Sequence, residues 1–128
     1  MRNLLLTLFA SLAFTTPLYA EKPPEVTTLS TPSSIALAEH LTENGVVKYS
    51  AYWCPHCHEQ NELFGKEASS KLLNVECAAD GFNSKTSLCR EKGIQGFPSW
   101  EINGVIESGI KSLVELAEQT NYQGLNDF

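Results

Sequence analysis

The chain has 128 residues, enough for one domain and too few for two of ordinary size. Apolar residues make up 42% and charged residues 19%, a composition typical of soluble globular proteins and too apolar for an intrinsically disordered chain. The formal net charge is −6, with the acidic side chains spread along the sequence. Binding to nucleic acid needs a basic face, so this charge argues against nucleic acid as a partner.

Residues 1–20 have the pattern of a secretory signal peptide. Arg2 supplies a positive charge, residues 4–14 form an apolar run, and Ala20 offers a small side chain for cleavage. We therefore expect export from the cytoplasm and a mature chain that begins near Glu21. The alternative is an uncleaved membrane anchor, although the apolar run is shorter than the roughly 20 residues that span a bilayer.

The first elements after this segment are a tether, a helix and a strand. Residues 21–31 contain adjacent prolines and several threonines without an apolar period, which predicts a flexible tether. The Thr31-Pro32 pair is typical of a helix N-terminus, and the Asn44-Gly45 pair is a stop signal. Residues 46–53 are rich in β-branched and aromatic side chains and predict a buried strand.

The middle of the chain predicts a helix from Cys54 to about Leu72, with Gly65 as the position of a kink. A short strand follows at residues 73–77. After a loop, a short helix is expected to end near Lys92.

The last third predicts a hairpin and a helix. The Asn-Gly pair between residues 99–102 and 105–108 is the strongest two-residue signal for a β-hairpin. Ser112 and Glu115 form a capping box for the last helix.

These elements define one domain over residues 32–122, followed by a C-terminal tail at 123–128. A strand–helix–strand unit followed by a hairpin and a helix is the minimal thioredoxin arrangement. We therefore expect a single α/β domain with a mixed sheet flanked by helices, and a monomer.

The motif Cys54-Pro55-His56-Cys57 lies where a predicted strand ends and a helix begins. A helix N-terminus favours a thiolate through its unpaired N–H groups and its macrodipole. Cys54 is therefore the expected nucleophile, and Cys57, one turn further on, the expected resolving thiol. A protonated His56 would stabilise the Cys54 thiolate, and stabilising the reduced form makes a disulfide more oxidising.

Two other uses of these cysteines compete with dithiol exchange. A structural disulfide this short closes little chain entropy and stabilises poorly. A zinc site could use Cys54, Cys57, His56 and His58, but zinc normally needs a second ligand pair. Cys77 and Cys89, twelve residues apart, match that requirement poorly, so no metal is expected.

A third alternative is covalent haem attachment, because Cys54 to His58 spells the C-x-x-C-H pattern. Met1 is the only methionine in the sequence and is lost with a cleaved signal peptide, which excludes His/Met ligation of a haem. His40 could serve as the second ligand instead. No other feature supports a haem pocket, so we expect no cofactor; His40 and His58 are expected on helix surfaces.

Gly96-Phe97-Pro98 lies about forty residues after the dithiol, just before a predicted strand. With the dithiol upstream, an aromatic–proline bond at this place predicts a cis peptide bond; the alternative is an ordinary edge-strand proline. Pro98 is then expected to shape a substrate groove beside the catalytic cysteines. Trp53, Pro55 and Phe97 are expected to border that groove, and Trp100 to take a packing role.

The motifs together resemble one family closely. It is the thioredoxin-like domain that is fused to vitamin K epoxide reductase homologues in photosynthetic organisms. The resemblance covers roughly residues 33–122 and is far more specific than C-x-x-C alone. It is carried by the segments Ser50-Ala51-Tyr52-Trp53-Cys54-Pro55-His56-Cys57-His58-Glu59-Gln60, Leu63-Phe64-Gly65-Lys66-Glu67-Ala68, Val75-Glu76-Cys77 and Gly93-Ile94-Gln95-Gly96-Phe97-Pro98-Ser99-Trp100-Glu101-Ile102-Asn103-Gly104.

The resemblance implies oxidative disulfide formation in protein substrates. Electrons would pass from substrate thiols through this domain to a quinone-linked membrane protein like vitamin K epoxide reductase, in the periplasm or the thylakoid lumen. It also implies that Cys77 and Cys89 form a second disulfide, either structural or redox-linked. The family's membrane domain lies outside the match, which leaves a disulfide reductase fed by a membrane electron donor as the alternative.

Lys48 stands six residues before Cys54, where thioredoxins generally carry a buried acid that accepts a proton. We expect the lysine to extend its ammonium group to solvent from the end of the strand. The alternative is that Lys48 faces the dithiol, where its charge would favour the thiolate.

Overall fold

The computed structural model describes residues 19–128. The signal peptide predicted at residues 1–20 therefore lies almost entirely outside the described residues. In the described part of the chain, no helix is both long enough and apolar enough to cross a membrane.

Residues 19–128 contain five helices and four strands. In chain order they are α1 (Pro32–Glu43), β1 (Val47–Ser50), α2 (Pro55–Phe64), α3 (Lys66–Lys71), β2 (Leu73–Glu76), α4 (Thr86–Glu91), β3 (Ser99–Ile102), β4 (Val105–Ser108) and α5 (Leu113–Gln119).

The strands form one mixed sheet in the order β2-β1-β3-β4. Strand β1 pairs parallel with β2 and antiparallel with β3, and β4 returns antiparallel to β3 through the predicted hairpin. This arrangement confirms the predicted α/β fold, a mixed sheet flanked by helices. It makes β1, the strand that leads to the dithiol, a central strand with a neighbour on each side.

The two faces of the sheet carry two separate apolar clusters. The larger cluster joins α1, α2, α3 and α5 to the sheet through Trp100, whose indole is 1% exposed. The smaller one joins β1 to α4 through Tyr49, Cys77 and Cys89. Because side chains alternate along a strand, Lys48 points to the face opposite Tyr49, the face of Trp100, its register partner on β3.

The helix predicted from Cys54 to Leu72 is two helices, α2 and α3, separated at Gly65. Gly65 has φ +84°, a backbone conformation that glycine adopts readily and other residues rarely do. A Cβ atom on Gly65 would lie 2.6 Å from the backbone nitrogen of Ser30, so the N-terminal segment passes too close for any side chain. The chain therefore ends one helix here and begins the next.

Residues 21–31, predicted to be a flexible tether, make specific contacts with the domain. The Glu62 carboxylate on α2 accepts hydrogen bonds from the backbone amides of Thr27 and Thr28, at 2.9 and 2.8 Å. Glu21 forms an isolated parallel bridge with Gly81 in the loop after β2. The segment is thus attached to the helix that carries the dithiol.

Candidate dithiol site

Cys54 is the N-cap residue of α2, and Pro55 occupies the first helical position. The preceding strand ends at Ser50, three residues earlier than predicted, because a turn follows in which the Cys54 amide donates to the Ala51 carbonyl at 3.0 Å. The Cys54 sulfur accepts a hydrogen bond from the Cys57 backbone amide at 3.1 Å. A cap of this kind aims N–H groups and the positive end of the helix dipole at the sulfur, which favours a thiolate.

The two sulfur atoms of Cys54 and Cys57 lie 2.6 Å apart. Both residues are nearly inaccessible, with 5% and 4% of their surface exposed. Burial raises the pKa of the Cys57 thiol to about 12, and its hydrogen bond to Cys54 acts in the same direction. Cys57 is therefore the thiol that holds its proton in the reduced pair.

The peptide bond between Phe97 and Pro98 is cis, as the sequence predicts. The Phe97 carbonyl oxygen lies 3.6 Å from the Cys54 sulfur. Trp53 is 59% exposed, and its ring packs edge-on against the Phe97 ring with the centroids 6.0 Å apart. Together with the exposed Pro55, these rings form an apolar surface at the edge of the cysteine pair.

The two histidines of the motif have acidic neighbours. His56 is exposed, and its Nδ1 atom lies 3.6 Å from the Glu59 carboxylate. His58 is partly buried, and its Nε2 atom lies 3.3 Å from the Glu62 carboxylate. Within residues 19–128, no three His, Cys, Asp or Glu side chains converge as a metal-binding group would require.

His40, the alternative haem ligand, lies on α1. Its Nε2 atom is 3.1 Å from the Thr120 carbonyl oxygen, and its ring packs on Tyr122 with the centroids 5.0 Å apart. The His40 imidazole therefore contacts residues at the C-terminal end of α5.

A comparison with known proteins agrees with this geometry. No family model matches the chain. Over 101 residues, or 77% of its length, the chain is 46% identical to thiol-disulfide oxidoreductase LTO1 of Arabidopsis thaliana. This chain carries a thioredoxin-like domain. It spans 27% of the length of that relative.

Cys77 and Cys89 of the thioredoxin-like domain form a disulfide, with an S–S distance of 1.99 Å. The bond joins the residue that follows β2 to helix α4. Its neighbours include Tyr49 and Phe97, and Phe97 also contacts the cluster that contains the dithiol. The second pair therefore lies on the other face of the sheet, linked to the dithiol through one aromatic ring.

The prediction that Lys48 extends to solvent is wrong. Lys48 is 2% exposed, because the central position of β1 and strand alternation direct its side chain beneath the helices. Its ammonium group donates a hydrogen bond to the Asn61 side-chain oxygen on α2. Desolvation lowers the pKa of Lys48 to about 8, although the charges of Cys57 and Cys54 act in the opposite direction.

Gln60 is a site-supporting residue that the sequence analysis missed. It is completely buried, and its side chain donates to the Lys111 carbonyl at 2.9 Å. Its oxygen accepts from the Lys111 amide at 2.8 Å and from the Trp100 indole at 3.2 Å. These bonds fix α2 to β3 and to the start of the α5 segment. The signal was its spacing, since Cys57, Gln60 and Phe64 occupy one helix face.

Proposed function

We propose that the chain is an exported thiol–disulfide oxidoreductase that oxidises thiols of protein substrates through Cys54 and Cys57. The observation that carries this proposal is the position of Cys54 as the N-cap of α2, with the Cys57 amide donating to its sulfur at 3.1 Å. This environment stabilises a thiolate on Cys54 and gives no comparable stabilisation to the disulfide. The reduced form is thereby favoured, which makes the disulfide an oxidant.

The reaction begins when a substrate thiolate attacks the Cys54 sulfur of the disulfide. The Cys54–Cys57 bond breaks, a mixed disulfide forms between substrate and Cys54, and Cys57 leaves as a thiolate that takes up a proton. A second substrate thiolate then attacks the substrate sulfur of the mixed disulfide and expels the Cys54 thiolate. Two electrons pass from the substrate to the dithiol, and the substrate gains a disulfide.

The apolar surface formed by Trp53, Pro55 and Phe97 is suited to holding a substrate segment during this exchange. Trp53 offers a large exposed ring beside a buried sulfur, so a substrate chain lying on it would place its own sulfur at the Cys54 end of the pair. We assign Pro98 to the wall of this groove, because it directly follows Phe97, whose carbonyl oxygen lies 3.6 Å from the Cys54 sulfur.

Each cycle leaves the dithiol reduced, so an electron acceptor must restore the disulfide. We propose a quinone-linked membrane protein of the vitamin K epoxide reductase type for this role, in the periplasm or thylakoid lumen. The resemblance of residues 33–122 to domains fused to such proteins supports this partner, and the leader-like pattern of residues 1–20 supports export.

Trapping of mixed disulfides tests the assignment of the two cysteines. Cys57→Ser should accumulate mixed disulfides between Cys54 and disulfide-containing substrates, because Cys57 is no longer there to attack the Cys54 sulfur and release the substrate. Cys54→Ser is the matched control and should form none. The adducts are identified by non-reducing gels and mass spectrometry of the linked peptides. Linkage through Cys57 in the wild-type protein would contradict the assignment.

Mass spectrometry of the protein from its native compartment tests export. We expect a chain that begins near Glu21, since cleavage is predicted after Ala20. An intact Met1 on a cytoplasmic protein would contradict export and leave the exchange chemistry untouched.

A further inference from the structure

Lys48 is a buried cation that the exchange chemistry described above does not use. It is 2% exposed and lies on the central strand β1, on the sheet face covered by α2. Its ammonium group donates to the side-chain oxygen of Asn61. A buried charge with a neutral partner is costly, so a protein retains one only where other interactions compensate.

The position of Asn61 relates Lys48 to the resolving cysteine. Asn61 follows Cys57 by four residues on α2, and residues at that spacing are neighbours on a helix surface, with Cβ atoms about 5–6 Å apart. The ammonium group of Lys48 is therefore bound to the residue that lies one helical turn from Cys57 on the same side of α2. In agreement with this geometry, the charges of Lys48 and the two cysteines act on one another.

Apart from the two cysteines, the described residues that face Lys48 provide no negative charge for its ammonium group. Lys48 lines a cleft of about 340 Å³ between the N-terminal segment and the sheet. Among the residues that line this cleft, Lys66 on α3 is the other titratable group. The Lys66 ammonium is paired with the Glu25 carboxylate and is 61% exposed. Asn74 on β2 and Trp100 on β3 contribute neutral side chains.

We propose that Lys48 supplies the charge and the proton that neutralise the Cys57 thiolate when the disulfide opens. This inference rests on the proposed exchange function. When substrate attacks Cys54, the S–S bond breaks and its electron pair stays on the Cys57 sulfur. The Lys48 ammonium, which is hydrogen-bonded to Asn61, then passes a proton to that sulfur through one water molecule, which leaves a neutral amine on Lys48 and a neutral thiol on Cys57. The amine recovers its proton from water through the cleft.

The transfer runs downhill in one direction. Burial lowers the pKa of Lys48 to about 8 and raises that of Cys57 to about 12, so a proton shared between the two groups resides on the sulfur. Reduction of the Cys54–Cys57 disulfide is helped by this transfer, and the reverse step must return the proton uphill. Because Lys48 ends each turnover as an ammonium group again, it is the attraction between this charge and the cysteine thiolates that favours the reduced pair, and with it oxidation of the substrate.

The test is single-turnover oxidation of a reduced dithiol peptide by the oxidised protein. Wild type is compared with Lys48→Met, which removes the charge at similar volume, from about pH 5 to about pH 10, a range that spans the titration of a buried lysine. We expect Lys48→Met to be slower by about tenfold or more, a modest effect for a general acid. The rate of the wild type, corrected for the substrate thiolate fraction, should fall as Lys48 loses its proton, and the variant should lose this dependence.

Lys66→Met is the matched control, because Lys66 lines the same cleft but is exposed and paired with Glu25. It should keep the rate and the pH profile of the wild type. Lys48→Gln is measured in parallel. It removes the titratable charge but keeps a hydrogen-bond donor for Asn61, so it separates loss of the charge from a packing defect in Lys48→Met. Near-ultraviolet circular dichroism checks that each variant is folded.

A second measurement is equilibration with a glutathione redox buffer. Removing the Lys48 charge should shift both Lys48 variants towards the oxidised form, because the thiolate of the reduced pair loses a cation. If folded variants keep the wild-type pH profile and the wild-type equilibrium, the inference is overturned, even where the rate is lower. Absence of exchange in the wild-type protein would instead overturn the proposed function.

Discussion

The two cysteine pairs of this domain are equally buried and differ in nearly everything else. The exposed fraction of the four residues ranges from 4% to 8%, so burial does not separate the pairs. Cys54 and Cys57 lie in the first turn of one helix, with an exposed tryptophan alongside. Cys77 and Cys89 are twelve residues apart and join the end of a strand to a helix across an apolar cluster.

This difference shows that the surroundings of a cysteine pair, more than its accessibility, indicate its chemistry. The sulfur of Cys54 receives a backbone N–H at a helix N-terminus and has the Lys48 charge nearby, and both features favour a thiolate. The second pair packs against Tyr49 and Val75, and apolar surroundings keep cysteines inert. We therefore expect Cys54 and Cys57 to take part in thiol–disulfide exchange, and the Cys77–Cys89 disulfide to stabilise the fold.

Removing each pair in turn gives the largest expected contrast. Cys54→Ala should reduce exchange with a dithiol substrate to the uncatalysed background, because the attacked sulfur is gone. The double variant Cys77→Ala, Cys89→Ala should keep most of the exchange rate, measured at a temperature where it is folded. Loss of exchange in the double variant, with circular dichroism unchanged, would mean that the second pair relays electrons.

The stability of the double variant sharpens the same comparison. By the chain-entropy estimate, a disulfide that closes a loop of this size stabilises the fold by about 3 kcal/mol. Urea unfolding should show a loss of that order for Cys77→Ala, Cys89→Ala. Reducing Cys54–Cys57 alone should lower the free energy of unfolding by less, since its loop is only one helical turn and the helix N-terminus stabilises the reduced pair. Equal losses for the two pairs would contradict the division of roles.

Glu62 offers a smaller and more local test, on the same helix as the dithiol. Hydrogen bonds from Thr28 and Thr27 lower the pKa of Glu62 to about 2. A carboxylate with a lowered pKa stabilises the folded state above its unfolded pKa, and this contribution is lost as the pH falls towards 2. Glu62→Gln should therefore speed hydrogen exchange of the Thr27 and Thr28 amides at neutral pH.

In the wild type, acidification should weaken the same hydrogen bonds between the Glu62 carboxylate and the amides of Thr27 and Thr28. Thr27 and Thr28 amides should lose protection as the pH falls from about 4.5 towards 2, while the amides of β1 stay protected. The rate of thiol–disulfide exchange at neutral pH should be unaffected by Glu62→Gln. Unchanged protection of both amides in the variant would show that other contacts hold the segment.

The smallest effect is expected from His56. Its side chain is 71% exposed and lies 3.6 Å from Glu59, so water and salt screen its charge. His56→Ala should lower the reduction potential of the dithiol by less than about 30 mV, which is a tenfold change in the equilibrium constant. Glu59→Gln, which removes the neighbouring carboxylate, is the matched control. A shift in reduction potential larger than about 30 mV for His56→Ala would make the histidine the dominant influence on the Cys54 thiolate.

Local sequence signals predicted most of the elements because each signal acts within a few residues. The Thr31 cap, the Asn103-Gly104 turn and the Ser112 capping box all occur where the sequence places them. At Gly65 the sequence indicates only a kink, whereas the structure has two separate helices. The full extent of this break depends on Ser30, thirty-five residues earlier in the chain, and a local pattern carries no information about that contact.

The environment of Lys48 could not be derived from its residue type. A lysine on a strand normally extends to solvent, and β1 is central only because β2 and β3, both later in the chain, pair with it on either side. Alternation with Tyr49 did indicate that the two side chains lie on opposite faces. The tertiary structure determines which face of the sheet α2 covers. This in turn determines whether the Lys48 side chain is exposed to solvent or buried.

The most direct test of the central claim is the reduction potential of the Cys54–Cys57 pair, measured against glutathione with the Cys77–Cys89 bond intact. A helix N-terminus and a nearby ammonium group both stabilise the reduced form, so the pair should be more oxidising than thioredoxin. We predict a value between roughly −270 mV, the value for thioredoxin, and roughly −120 mV, the value for a strongly oxidising periplasmic enzyme. A value at or below that of thioredoxin would contradict the account and favour a disulfide reductase.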